Sequence, residues 1–307
     1  MTQATTPSPL DPAIADMERR WKESGIPGLY DGGSGPVSRE RANNIRALLY
    51  PKPKLPQGAI EPLTLPGQGV QVPARIVRPV QGEPIGTLVY FHGGGWVVGD
   101  LDSHEAHAIR LANEAGVVVL NVGYRLAPEH KFPAAIDDAQ SAMAWAAAHL
   151  AQLGGADKPL AVGGDSAGGN LAAVMGLHCR DQGIALAAQL LMYPATDTTG
   201  VGEPAIRDGY FGPDHATLSR DWRASPALAP RLAGMAPVIL GVGPYDFLYQ
   251  DNLRYVARLR EEGVPVLLRD YPTLNHGFFS YTAISRDSET AALQLCADLR
   301  AQMLARP

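Results

Sequence analysis

Apolar positions along this chain follow two rhythms. Up to about residue 57 they recur at helical spacing. Ile14, Met17 and Trp21 share one face, and Asp11-Pro12 is a helix start, an acceptor side chain ahead of a proline whose missing N–H costs nothing in a first turn. A second helix is predicted from about Ser38 to Leu49. Gly32 to Gly35 breaks the two apart, and the Pro-rich stretch from Tyr50 ends the segment. From Ile60 the rhythm is that of strands, at Glu61 to Leu65, Val70 to Val77 and Thr87 to Phe91, with no helix between them. Beyond Phe91 helices and strands alternate. Helices are predicted at Ser103 to Ala115, Ala134 to about Leu150, from Ser166 to about Cys179, and at Ser285 to Leu304. The further strands are Val117 to Val122, Leu160 to Val162, Ala187 to Tyr193, Val238 to Val242 and Val264 to Asp270. Eight strands in this order predict an α/β fold, a mostly parallel sheet with helices on both faces. Two stretches fall outside it. Residues 1 to 57 are too short for a core of their own, and residues 197 to about 226 interrupt the alternation with polar and aromatic side chains. Both are expected to lie over a main domain of residues 58 to 307.

Composition narrows the picture. With 307 residues, 46% apolar and 19% charged, the chain can bury one large core. A formal net charge of −5 with no basic block excludes a nucleic-acid role, because phosphate binding needs clustered Lys and Arg. No apolar run is long enough to cross a bilayer, and the first residues carry neither a basic n-region nor an apolar h-region. A soluble cytoplasmic protein is expected, with no membrane partner. Cys179 and Cys296, far apart on predicted helices, read as buried thiols rather than a disulfide.

The chemistry centres on Leu160 to Asn170, LAVGGDSAGGN, where a strand passes through glycines and one serine into a helix. Gly164-Asp165-Ser166-Ala167-Gly168 has the form G-x-S-x-G, a strained turn that lifts the serine hydroxyl off the sheet. The glycines follow from sterics: two positions either side of the serine, a Cβ would strike neighbouring backbone. A phosphate loop would need Gly-Lys-Ser/Thr, and a dinucleotide fingerprint G-x-G-x-x-G; neither is present. A serine hydroxyl needs a base, usually His oriented by a carboxylate, in the chain order Ser, acid, His. Of eight histidines, only His276 falls in a loop between the last strand and last helix. Asp246, in the loop after Val238 to Val242, is the candidate acid. Asp251 is the competitor, placed a turn into the next helix, where it complements the dipole. His92-Gly93-Gly94-Gly95-Trp96 follows the third strand and offers backbone donors for an oxyanion, together with the Ala167 amide. Which two of the three glycine amides point inward is not readable, and the His92 side chain is expected to brace the loop.

Together these motifs resemble the bacterial hormone-sensitive-lipase-like esterases of the α/β-hydrolase fold. The resemblance covers most of the chain through HGGGW from His92, GDLDSH from Gly99, YRLAPEHKFPAAIDDA from Tyr124, GDSAGGN from Gly164, YPATD from Tyr193, SPALA from Ser225 and NHGF from Asn275. It implies Ser166 as nucleophile, Asp246 as acid, His276 as base, and an oxyanion hole from Gly93, Gly94, Gly95 and Ala167. It also implies a small helical cap from residues 1 to 57 and 197 to 226, and no cofactor. The chain departs from the family's Asp-Pro-Leu with Asp246-Phe247-Leu248, and has Asn252 where an acidic residue is usual. Trp96, Tyr210, Phe211, Leu218 and Trp222 are the candidates to contact substrate.

The expected reaction is hydrolysis of carboxylic esters with short to medium acyl chains. Amide, lactone or formamide hydrolysis and acyl transfer use the same intermediates and are the alternatives. A non-catalytic receptor, as in the plant gibberellin receptors, is the alternative of another class, disfavoured by His276. Three further readings follow from the residues. His104 and His107 have ligand spacing but form no H-E-x-x-H and show no third ligand, so no metal is expected. Arg125 and Glu129 are expected to pair and brace the oxyanion loop, and Asp165 to start a helix or hold that loop. A homodimer through an edge strand, common in look-alikes, is a further expectation.

Overall fold

A computed structural model describes residues 8–28 and 35–305. The predicted break at 32–35 falls almost wholly outside them. Two helices lead, α1 (Pro12–Ser24) and α2 (Gly35–Leu49). The Asp11 carboxylate caps α1, accepting from the Ala13 and Ile14 amides at 2.8 and 3.1 Å. Eight strands follow: β1 (Ile60–Pro66), β2 (Gln71–Val77), β3 (Thr87–Phe91), β4 (Val118–Val122), β5 (Leu160–Asp165), β6 (Ala188–Met192), β7 (Val238–Val242) and β8 (Val266–Asp270). They form one sheet in the order β1-β2-β4-β3-β5-β6-β7-β8, in which only β1–β2 and β2–β4 pair antiparallel. Every residue of β3 to β7 is buried, as a sheet covered on both faces requires.

The covering helices are α3 (Glu105–Ala115), α4 (Ala134–Ala148), α5 (Ala167–Gln182), α7 (Tyr249–Glu261) and α8 (Arg286–Leu304). Leu171, Val174 and Leu259 belong to one hydrophobic cluster; Leu111, Leu295 and Leu299 belong to the other, where Ile14, Met17, Ile45 and Leu49 bring in the N-terminal helices. Ser285 caps α8 and donates to Asp11 Oδ2 at 3.0 Å, so the starts of the first and last helices are tied together. The interruption at 197–226 contains a π-helical segment, Ala205–Phe211, and a single turn, α6 (His215–Leu218). Its fastening is partly backbone: the Phe132 amide donates to Tyr210 O at 2.9 Å.

Two sequence expectations are corrected. Strand β5 runs to Asp165, three residues past the expected end, because Gly163 and Gly164 have no side chains to carry the apolar pattern yet still pair with β6. Arg125 and Glu129 do not pair. Arg125 makes a bidentate contact with the fully buried Asp138 at 2.8 Å, and Glu129 takes Arg39 from α2 instead. Neighbours in sequence point apart here, and the chain's return through α4 supplies the partner.

Candidate active site

The β5–α5 turn puts Ser166 at φ 54° and ψ −115°, a conformation L-residues avoid. Only glycine fits around it. A Cβ on Gly164 would lie 2.3 Å from Gly168 O, and one on Gly168 would lie 1.9 Å from Phe91 O. The Ser166 amide is held by Met192 O at 2.9 Å, which anchors the bend to β6.

The loop after β8 brings His276 over this serine, its Nε2 2.8 Å from Ser166 Oγ. Its Nδ1 lies 2.9 and 3.0 Å from the two oxygens of Asp246, which arrives on the loop after β7. The Asp246 side chain is fully buried and also accepts from the Leu248 amide at 2.7 Å. With Asp246 accepting from Nδ1–H, the Nε2 lone pair faces the serine hydroxyl. A bridge between Tyr245 and Asn275 joins the two loops. Asn252 Nδ2 donates to Pro194 O at 3.0 Å and Leu248 O at 2.8 Å, fastening the acid loop to the end of β6. That buried amide is what the departure at Asn252 supplies. Asp251, in the first turn of α7, pairs with Arg254 and stays apart from His276.

The glycine loop after β3 corrects one expectation. The Gly93 N–H donates to Asp165 Oδ1 at 2.9 Å, so it is not available to an oxyanion. Gly94 and Gly95 remain, both at positive φ, and a Cβ on Gly94 would lie 2.1 Å from Val98 O. The Ala167 amide stands at the start of the 16-residue α5, where first-turn N–H groups have no intrahelical partner.

Behind this loop lies a buried polar cluster that the sequence showed only in pieces. Asp165 Oδ1 accepts from Tyr90 OH at 2.5 Å as well as from Gly93. Burial alone would raise the Asp165 carboxyl, but the neighbouring imidazoles of His104 and His107 and the hydrogen bond from Tyr90 outweigh it and hold it well below the usual carboxylate range. His92 stacks on Tyr124 at 4.3 Å, with its Nδ1 2.8 Å from Gly93 O. Burial, with His104 close by, pushes its imidazole down to about 3, and does the same to His107. His104, His107 and Asp165 bring potential ligand atoms within 4.8 Å of one another, so the third ligand missing from the sequence pattern exists in space. Three of the ring nitrogens are already engaged: His107 Nδ1 with Tyr90 OH at 3.1 Å, His107 Nε2 with Ser280 Oγ at 3.2 Å, and His104 Nδ1 with Ser103 Oγ at 2.9 Å. Through Asp165 and the Gly93 amide these contacts brace the glycine loop.

The five candidate substrate contacts divide. Trp96 and Tyr210 are buried and stack face to face at 4.6 Å, with Phe211 and Phe132 packed around Tyr210. Leu218 and Trp222 line a shallow depression with Asp221 and Leu228, to which Ser166, His276 and Asp246 do not contribute. A cavity of about 410 Å³ between α2, α3 and the turn at Phe279 likewise excludes these three residues. The residue that sequence reasoning underused is Phe247. Its ring centroid is 4.5 Å from that of His276.

Known proteins share this fold. Residues 88–280 match the alpha/beta hydrolase fold family. The carboxylic ester hydrolase LipN of Mycobacterium tuberculosis is 35% identical across 96% of this chain and 83% of its own. The ethyl acetate hydrolase of Pseudomonas putida is 35% identical across 72% of this chain and 76% of its own. The solved structure of an esterase from Pyrobaculum calidifontis superposes with a TM-score of 0.87 at 32% identity, covering 97% of this chain and all of that one. With its fold, its serine turn and its relatives in agreement, the chain belongs to the hormone-sensitive-lipase-like carboxylesterases of the α/β-hydrolase family.

Proposed function

We propose that this carboxylesterase works through Ser166, His276 and Asp246, with the amides of Gly94, Gly95 and Ala167 as its oxyanion donors. Ser166 Oγ attacks the ester carbonyl as His276 Nε2 takes its proton, and Asp246 steadies the imidazolium. His276 then gives that proton to the leaving alcohol, and the acyl-enzyme is opened by a water that His276 deprotonates. The observation that carries this reading is the unbroken line from Asp246 through His276 to Ser166 Oγ, each step 3.0 Å or less. It also disfavours a non-catalytic receptor, which has no need of a hydrogen-bonded base.

The two N-terminal helices and residues 197–226 act as a cap in this reading. The short insert, and a relative named for ethyl acetate, support short to medium acyl chains. Trp96 and Tyr210 are both buried, so in this reading they back the glycine loop, on which Trp96 itself lies, rather than touch the acyl chain. Two buried free thiols support a cytoplasmic location. A homodimer would form along β8, an edge strand with Leu267 half-exposed.

The test is hydrolysis of a p-nitrophenyl ester series, acetate to palmitate, by wild type and Ser166→Ala. Activity should peak at short chains and fall at least about a thousandfold in kcat in the variant. A folded wild type that cleaves none of the series would overturn the reading. Preferential cleavage of the matching anilides would move it to an amidase.

A further inference from the structure

Resting on the esterase reading, the site also carries information about which alcohol it releases. Phe247 follows Asp246 and is 78% exposed, the most exposed large hydrophobic side chain among the described residues. A lone exposed apolar side chain is ordinary; its position here is not. The ring lies 4.5 Å from the His276 imidazole, tilted by 39°. On the same imidazole, at 5.0 Å, lies Tyr193, which is buried and closed to ligand. The catalytic imidazole thus touches one sealed aromatic ring and one open ring.

The backbone from which the open ring branches is held in place. Asp246 N donates to Gly243 O at 3.0 Å, Leu248 N to Asp246 Oδ1 at 2.7 Å, and Tyr249 N to Asp246 O at 3.0 Å, so Phe247 projects from a tight turn held on both sides. His276 Nε2 protonates the leaving oxygen, which must come within about 3 Å of it. The alcohol portion of the ester therefore leaves alongside the imidazole on which Phe247 leans. An aromatic alcohol there can pair with the free ring face, whereas a saturated ring of equal size gains only contact area.

We infer that Phe247 is the aromatic wall of the leaving-group side of the site and selects esters of aromatic alcohols over saturated ones of the same size. The test compares benzyl acetate with cyclohexylmethyl acetate, which share the acyl group and have leaving alcohols of similar size and acidity. In wild type the kcat/KM ratio should favour benzyl. Phe247→Leu, which keeps apolar bulk, should lower that ratio about 3- to 10-fold, and Phe247→Tyr should hold it within about 2-fold. A Phe247→Leu enzyme that loses activity equally on both esters, or keeps the wild-type ratio, overturns the inference while leaving the esterase intact. A folded wild type that cleaves neither ester nor p-nitrophenyl acetate overturns the esterase reading itself.

Discussion

Ser166 holds a backbone conformation that costs on the order of 1–3 kcal/mol and persists because its surroundings leave no alternative. Asp165, beside it, does the quieter work of fixing the glycine loop through the Gly93 amide. If Gly94 and Gly95 are oxyanion donors, their aim depends on that bond. Asp165→Ala should lower kcat about 10- to 100-fold with a smaller change in KM, since donors are displaced from where charge develops. Asp165→Asn, which keeps an acceptor for Gly93, should recover most of the loss. Steady-state kinetics on both variants check this, and equal losses would mean that the charge, not the hydrogen bond, matters.

Among the elements, the loop between β4 and α4 is held by two ion pairs of different character. Arg125 neutralises Asp138, whose side chain is fully buried, while Glu129 meets Arg39 at a partly exposed surface. Removing a partner from a buried charge costs about 3–5 kcal/mol, whereas an exposed pair contributes about 1 kcal/mol or less. Arg125→Met should therefore destabilise the fold by several kcal/mol in urea titration, and Glu129→Gln by less than about 1. Comparable effects would contradict this assignment. The sequence placed both charged residues on this loop but paired them with each other, because spacing alone cannot show that α4 returns beneath Arg125.

For the molecule as a whole, the buried imidazoles set an acid limit. His92 and His107 sit at about 3 when folded, against roughly 6.5 in an unfolded chain. Between those values the unfolded chain binds protons that the folded protein does not, so stability falls as pH drops from about 6.5 towards 3, by up to a few kcal/mol per imidazole. Asp165, held low, adds a loss below about pH 4 as its carboxylate is protonated on unfolding. Calorimetry should show Tm decreasing across this range, with a shallower slope in His107→Phe; a flat Tm from pH 6.5 to 4 would contradict it. If β8 is a dimer edge, light scattering should give twice the chain mass, and Leu267→Lys should give monomer with kcat retained.

Local pattern along the chain was enough for the layered α/β architecture, because side-chain periodicity is local and eight strands punctuated by helices leave little choice of sheet. It also determined the serine turn, since a tight bend between glycines is written in consecutive residues. Folding settled what depends on distant segments converging. It bound the Gly93 amide to Asp165, gave Arg125 and Glu129 separate partners, and gathered Tyr90, His92, His104, His107 and Asp165 into one buried network. It also laid Phe247 against His276. These contacts join segments between 13 and 90 residues apart in the chain, and whether a polar group there is free or engaged depends on three-dimensional neighbours that periodicity and spacing do not encode.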